Sequence, residues 1–393
     1  MNIIGKIENN ISAFLQSCAE GAGLLAGISG GADSMALLSA LCALSKQPDF
    51  CFQISVLHIE HGIRPAGESC CDADFVLDFC KANGIDGRIE RIAPGRIASF
   101  ARRKGIGIEA AARFFRHKAL RSEARRINSQ SAAGKTMILL AHTKDDLLET
   151  SLMRVLRGAG PAGLSAMKEK RVLIRDRGEA VINIVRPLLT MTRRDVIDYL
   201  TAKNISWRED STNSDEKFLR NRIRRRLIPL LNDSFPEWKA GVASMAETQS
   251  LVRDFLADET KSRIKWEKNF SPRINTGNYA VSTGSCAVST GSFAVSTEEA
   301  NFFSQPVIIR EEAVFYAMNR LSSLDASQAG GEFLSGKTIK RSVVRQFCEG
   351  EIKAADLGQM RIRHENGKII LSLMHKEFFE CGISLLSNKS IIS

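Results

Sequence analysis

The chain of 393 residues predicts an α/β fold: a doubly wound, mostly parallel sheet, followed by a helical and small mixed C-terminal region. Three observations predict it. Short apolar runs alternate with helical stretches from the start to about residue 221, and strand–helix alternation requires right-handed crossovers and a parallel sheet. The first junction is a glycine turn, GISGGADS at residues 27–34, of the kind found at the carboxyl end of a strand in such sheets. Hydrophobic content of 44% with 25% charged residues suits a soluble globular chain with two or three cores.

In chain order, the apolar runs at 24–28, 53–59, 88–92, 137–141 and 181–185 predict strands. Between them, 34–44, 69–83, 109–127, 145–156 and 193–203 carry helical periodicity. Ser29 or Asp33 is available to cap the first of these helices. Residues 227–266 read as amphipathic helix. The stretch 278–297, YAVSTGS-CAVSTGS-FAVST, is a seven-residue near-repeat; its Ser, Thr and Gly disfavour helix and it lacks an apolar seam, so it reads as a flexible or weakly β linker. Beyond it, 310–321 and 339–348 predict helices, and 361–364 with 368–373 predict a hairpin about Asn366-Gly367. The resulting division is an α/β domain at 1–226, a helical region at 227–277, the linker at 278–297 and a small module at 298–393.

Net charge decides the class of partner. A formal charge of +11 favours a polyanion, either nucleic acid or an anionic membrane surface. No run approaches the ~18 apolar residues of a spanning helix, and the N-terminus carries asparagines and a glutamate within its apolar pattern, a poor signal peptide. Nine scattered cysteines without a C-x-x-C predict reduced thiols, neither disulfide scaffold nor zinc ribbon. A cytoplasmic protein is expected, with no membrane partner.

The glycine turn is where chemistry is expected. Between a strand and a helix start, Ser29, Gly30, Gly31, Ala32, Asp33 and Ser34 aim backbone N–H groups and a helix dipole at one volume, which suits an anion. Asp33 is unfavourable against a bare phosphate, so its presence points to Mg²⁺ between the two. A second phosphate motif, GEFLSGKT at 331–338, satisfies the Walker A pattern but follows the polar, strandless SSLDASQ, which argues against it.

Other strand ends converge on the same crevice. HIEHGIR at 58–64 has two histidines without further metal ligands and reads as crevice lining, with Arg64 beside a base. The helix at 109–127 has a basic face on which Arg113 and Arg116 lie near the start, suited to phosphate or transition-state charge, whereas Arg121, Arg125 and Arg126 read equally well as solvated surface. AHTKDDLLET at 141–150 places Asp145, Asp146 and Glu149 at a helix start, either as dipole partners or as a site for Mg²⁺ or an ammonium group. Finally, RPLL at 186–189 and REDSTN at 208–213 lead to a basic run containing Arg220, Arg222, Arg224 and Arg225, read as an RNA backbone contact with steep salt dependence.

Taken in order, SGGADS, HIEHGIR, AARFFRHKAL, AHTKDDLLETSLMRVLRGAG, RPLL and EDSTNSDEKFLRNRIRRRLIPLL resemble the tRNA(Ile)-lysidine synthetase family of N-type ATP pyrophosphatases, from residue 29 to about residue 229. The resemblance implies ATP and Mg²⁺ as cofactors, and free L-lysine and a tRNA(Ile) with a CAU anticodon as partners; a homodimer is left open. It implies that ATP adenylates the wobble cytidine and that lysine then displaces AMP. By position it implies a catalytic domain at 1–226 with an ATP site at 29–34, catalytic roles for Asp33, Arg113 and Asp146, a lysine or metal site at Asp146 and Glu149, and tRNA-binding regions at 227–277 and 298–393. The chain departs from the family at Thr143, Leu147 and Glu60. Two other readings fit parts of the sequence: another pyrophosphatase-loop tRNA enzyme such as a thiolase, which the lack of paired cysteines opposes, and a noncatalytic RNA-binding protein on the same fold, which the intact loop opposes.

Overall fold

The computed structural model describes residues 2–16, 21–63, 66–131, 133–176, 179–209, 219–271, 292–329, 341–358 and 360–373. The chain divides into two compact units, Met1–Leu251 and Val252–Ser393.

In the first unit the strands are β1 (Gly23–Gly27), β2 (Gln53–Glu60), β3 (Asp86–Arg91), β4 (Thr136–Leu140), β5 (Lys170–Asp176) and β6 (Glu179–Val185). They form one sheet in the order β3-β2-β1-β4-β6-β5. All neighbours pair in parallel except β5, which runs antiparallel to β6 along the edge. The five expected strands are all present. The edge strand was not foreseen, because its only apolar residues, Val172, Leu173 and Ile174, are flanked by charge.

Helices cover both faces. α1 (Ile3–Gln16), α2 (Ala32–Leu44) and α8 (Arg193–Ala202) pack together, with α3 (Ala66–Ala82) against β2 and β3. They share a core that includes Leu24, Met35, Leu38, Val76 and Tyr199. α1 holds because Ile7, Ile11 and Leu15 recur every fourth residue on one buried stripe, a pattern that the asparagines between them obscure in the sequence. On the opposite face, α5 (Ile108–Asn128) lays Leu120, Ala124 and Ile127 over Leu25, Ile138 and Ile184. Gly23 is required there, since a Cβ would sit 2.5 Å from Ile127 Cγ2. A short α4 (Arg96–Lys104), absent from the sequence reading, precedes α5 and packs on it through Phe100, which stacks on Phe114 at 4.9 Å.

α6 (Lys144–Leu156) and α7 (Pro161–Leu164) follow β4. After α8 come α9 (Leu219–Arg222), a π-helical turn at Ile223–Leu227, α10 (Ile228–Ser234) and α11 (Trp238–Arg263). The helical stretch expected over 227–266 is present as two helices, broken around Pro236, which has no N–H to donate.

Strand order reverses between β1 and β4: β2 lies on one side of β1 and β4 on the other. The chain leaving β1 and the chain leaving β4 therefore diverge, and a crevice opens beyond the carboxyl ends of these two strands. The turn at 27–34 and the segment from His142 onward border it.

The second unit contains a five-stranded antiparallel sheet, β7-β8-β11-β10-β9, formed by β7 (Glu267–Ser271), β8 (Ser292–Glu298), β9 (Ala354–Leu357), β10 (Met360–Glu365) and β11 (Lys368–Leu373). α12 (Glu299–Ser304), α13 (Val307–Ala329) and α14 (Arg341–Glu349) complete it, around a core with Trp266, Phe302, Val314 and Phe347. The expected hairpin is β10–β11, whose turn residues Asn366 and Gly367 have φ of 50° and 71°, the pair of positive values a type I′ turn needs. The last near-repeat, read as a flexible or weakly β linker, is strand β8: it pairs on both sides, and Val295 is wholly buried. Val295, Ser296 and Thr297 are all buried, as suits a strand covered on both faces. Residues 278–291 of the repeat and the Walker-like 331–338 lie outside the described residues.

Candidate active site

The glycine turn forms a cradle. Gly30 has φ of +88°, a left-handed conformation that costs a residue with Cβ but not glycine. Neither Ser29 nor Asp33 caps α2; Gly31 occupies that position without any side-chain cap. The two hydroxyls instead shape the loop itself. Ser29 N–H donates to Ser34 Oγ at 3.3 Å, the two hydroxyl oxygens lie 3.2 Å apart, and Ser34 Oγ donates to the Gly31 carbonyl at 2.8 Å. An uncapped helix start with its dipole directed outward is suited to an anion.

From the far side Trp207-Arg208-Glu209 closes over the loop. Arg208 N–H donates to the Gly30 carbonyl at 2.9 Å, and its guanidinium lies over the Phe75 ring, 5.2 Å from the centroid. The crevice so formed has a volume of about 730 Å³. Its walls include Ser29, Asp33, His58, Arg116, His142 and Asp146. His58 and His61 line it as expected, while Arg64 lies outside the described residues. Among the described residues no group of three or more His, Cys, Asp or Glu side chains is placed to hold a metal.

Asp33 extends from the first turn of α2. Its Oδ2 accepts from Arg193 Nη1 at 2.5 Å, and its Oδ1 is buried with no hydrogen-bond partner. Burial raises its pKa above the ordinary 3.8, Arg193 opposes that rise, and nearby Asp146 adds to it. A buried carboxylate oxygen with no donor is what a hard divalent cation would ligate, and Mg²⁺ commonly takes one or two protein carboxylates and fills the rest of its octahedron with phosphate and water. Asp33 fits that role. Arg193 was missed in the sequence, although a signal exists: it opens α8, where a cation opposes the helix dipole, so its placement calls for another reason.

The second strand end carries the acidic cluster. Asp146 is the third residue of α6, and its Oδ2 accepts from Thr143 N–H at 2.9 Å and Thr143 Oγ1 at 3.2 Å. Thr143, a departure from the family pattern, therefore serves as a capping residue. Asp146 and Glu149 are 7% and 3% exposed, and two arginines neutralise them. Arg220 Nε donates to Glu149 Oε2 at 2.8 Å and its Nη2 to Asp146 Oδ1. Arg224 Nε bonds Glu149 Oε1, with Nη2 3.4 Å from Asp146 Oδ1. Arg220 and Arg224, expected on an RNA-facing surface, thus bond to the acidic cluster, although Arg224 keeps 40% of its side chain exposed; the four-residue spacing places both on one side of the turn. Arg222 and Arg225 remain exposed. Asp145 does not join the cluster: its Oδ2 accepts from the Arg193 backbone N–H at 2.6 Å, and it is absent from the crevice wall.

The roof is basic. Arg116 enters the crevice with its Nε buried and unpartnered; burial, with Arg113 and Arg220 alongside, lowers its pKa to about 10, so it remains cationic. Arg113, one turn earlier on α5, is exposed. Arg186, 6% exposed, donates from Nε to His142 Nδ1 at 3.2 Å and from Nη1 to the Lys168 carbonyl at 2.8 Å. Because an arginine can only donate, Nδ1 of His142 is the acceptor and the ring proton belongs on Nε2. Burial holds His142 well below the usual histidine range, with Arg186 and Arg116 reinforcing the shift against Asp146.

A sequence model described as a PP-loop domain matches residues 4–231, more than half of the chain. The chain belongs to the PP-loop family. The uncapped loop at 29–34 is the feature that gives this PP-loop domain its anion cradle. Among curated relatives, the tRNA(Ile)-lysidine synthase of Treponema denticola is 36% identical over 61% of this chain and 48% of its own length. That of Solibacter usitatus is 38% identical over 60% of this chain and 46% of its own, and that of Yersinia pseudotuberculosis 32% identical over 66% and 52%. This PP-loop chain therefore spans about half the length of the curated relatives it matches.

Proposed function

We propose that the protein ligates free L-lysine to the wobble cytidine of a tRNA(Ile) with a CAU anticodon, using ATP and Mg²⁺ and releasing AMP and pyrophosphate. One observation carries this reading: a single crevice joins a phosphate cradle to a buried carboxylate cluster, under a roof of arginines. Few reactions need all three; joining an amine to an ATP-activated RNA base is one of them.

In the first step the carbonyl oxygen on the cytosine ring attacks the α-phosphorus of ATP and pyrophosphate leaves with the bonding pair. The turn at Ser29 to Ser34 binds the departing group through backbone N–H donors, and Arg116 offsets the charge that develops, with Arg113 one turn away on α5 and outside the crevice wall, the kind of pre-placed electrostatics that lowers such barriers. Bound at Asp33, Mg²⁺ would supply further charge neutralisation. In the second step the lysine amine bonds to the activated ring carbon and the bond to the AMP oxygen breaks. Asp146 on the crevice wall, with Glu149 behind it, would receive the lysine ammonium in place of Arg220 or Arg224, which pair with both carboxylates in this structure. The names of the relatives support tRNA(Ile) as the partner, and the exposed Arg222 and Arg225 suit its backbone. No cysteine among the described residues lines the crevice, which disfavours a thiolase. A cytoplasmic location is compatible: among the described residues no helix is long and apolar enough to cross a membrane.

The test is incubation with labelled lysine, ATP, Mg²⁺ and tRNA bearing a CAU anticodon. Label should enter RNA only when ATP is present. Incorporation without ATP, or none with it, overturns the reading.

A further inference from the structure

The basic run at 220–226 was the expected RNA contact, yet two of its arginines are bound to Asp146 and Glu149. Much of the chain's excess charge lies elsewhere. Residues 96–126 carry ten Lys and Arg against two acidic residues, Glu109 and Glu123, and thus most of the formal +11. This segment is the α4–α5 hairpin. On it Arg96, Arg102, Arg103 and Arg113 are exposed, and none of the four forms an ion pair with a carboxylate among the described residues.

Topology places this ridge beside the crevice. β3 ends at the carboxyl edge of the sheet, α4 follows it there, and α5 returns to begin β4 at the opposite edge. Hence α4 and the first turns of α5 lie on the side of the Ser29 to Ser34 loop, and Arg116 reaches the crevice itself. The ridge is also rigid. Phe100 packs on Phe114 at 4.9 Å and on Phe115 at 5.2 Å, while Arg103 lies over the Phe100 ring at 5.6 Å and Arg96 over the Phe115 ring at 5.5 Å. Like charges held together without counter-charge repel one another, and a polyanion relieves that repulsion.

We infer that the α4–α5 ridge, centred on Arg96, Arg102 and Arg103, docks the phosphodiester backbone of the RNA whose nucleotide enters the crevice. The inference rests on the proposed function for the identity of that RNA. Arginine forks match phosphate oxygens two at a time. An anionic bilayer is the poorer match, because the apolar side of α4, Ile97, Phe100 and Ala101, is buried in the fold and Ile108 is the one exposed large apolar side chain among the described residues of the hairpin, too little to anchor in lipid.

The experiment compares the wild-type chain with a triple variant, Arg96→Gln, Arg102→Gln and Arg103→Gln, and with its Arg→Lys counterpart. Binding to CAU tRNA(Ile), without ATP or lysine, is titrated from low to moderate salt. With about 0.7–0.9 counterions released per phosphate contact, the Gln variant should lose about two units of log–log salt slope and roughly tenfold or more in affinity at low salt. The Lys variant should recover the slope, and an ATP analogue should bind all three equally. An unchanged slope in the Gln variant overturns the inference. So does a Gln variant that binds tRNA normally but no longer sediments with phosphatidylglycerol vesicles that the wild type binds. If the wild type binds tRNA with the expected slope yet incorporates no lysine, the proposed function fails and the ridge stands.

Discussion

Arg193 reaches across the crevice to Asp33, Nη1 to Oδ2 at 2.5 Å, and so holds one oxygen of the carboxylate whose other oxygen is buried and unpartnered. A cation already borders the position where Mg²⁺ would bind. Asp33→Asn keeps the shape but removes the charge. Pyrophosphate release should fall by about 10²-fold or more while tRNA binding persists; unchanged release would remove Asp33 from the chemistry. The pH dependence follows from the raised pKa. As pH falls through that pKa Asp33 protonates and can no longer ligate a cation, so at limiting Mg²⁺ the acid limb of Mg²⁺ binding should lie above the 3.8 usual for an aspartate, and it should move lower as Mg²⁺ is raised. In the unfolded chain the carboxyl is more acidic, so this group by itself favours folding more as pH falls. A lower limb accompanied by acid-induced unfolding would point to a different group.

Arg220 is the central member of the four-charge cluster, bonded to both Asp146 and Glu149. Removing one partner from a fully buried pair typically costs about 3–5 kcal/mol. Here the Arg220 side chain is 30% exposed and Arg224 still neutralises both carboxylates, so Arg220→Ala should cost about 2 kcal/mol, read as a lowered midpoint in urea unfolding. Glu149→Gln removes the acceptor charge instead and should raise KM for lysine. A stable Arg220→Ala protein with unchanged lysine kinetics would mean that the cluster contributes to neither folding nor binding.

The sheet and the loop were legible in the sequence because each depends on local pattern. Leu24, Leu25 and Ala26 followed by Ser29, Gly30 and Gly31 need only their neighbours to specify strand, turn and helix. The acidic segment was legible in position but not in partners. Asp145 and Asp146 are adjacent in sequence, yet a helix turns them about 100° apart, so one meets Arg193 and the other the crevice. Arg220 and Arg224 read as surface charge because their carboxylates lie 71 to 78 positions away. Helix α1 escaped for the opposite reason: three buried residues suffice once α2 and α8 supply the other side of the core. Strand β8 escaped because Ser and Thr in a strand and in a linker look alike until a neighbouring strand pairs with them.

His142 should not titrate in the usual range. With Arg186 donating to Nδ1, protonation would place two donors face to face in a buried site. The folded-state pKa lies below the unfolded value, so the neutral ring's stabilising contribution is complete above the usual 6.5 and is lost as pH falls from there toward the depressed value. In ring-proton NMR, His142 should keep its neutral shifts down to pH 5 with the proton on Nε2. A midpoint near 6.5 would rule out the arrangement. Arg186→Ala should bring the midpoint back toward the usual value.

Arg222 and Arg224 separate two roles that the sequence merged. Both lie in one basic run and both are exposed, but Arg224 bonds Glu149 and Asp146. If the exposed side of this run contacts RNA backbone, Arg222→Ala should weaken tRNA binding independently of sequence and reduce the log–log salt slope by about 0.7–0.9, leaving lysine KM alone. Arg224→Ala should do the reverse, altering lysine kinetics and stability with little change in slope, because its charge is already spent on the two carboxylates. Paired salt titrations of the two variants decide the matter. Equal slope losses would mean that Arg224 leaves Glu149 when RNA binds, whereas no loss for Arg222 would leave the basic run without a role in docking.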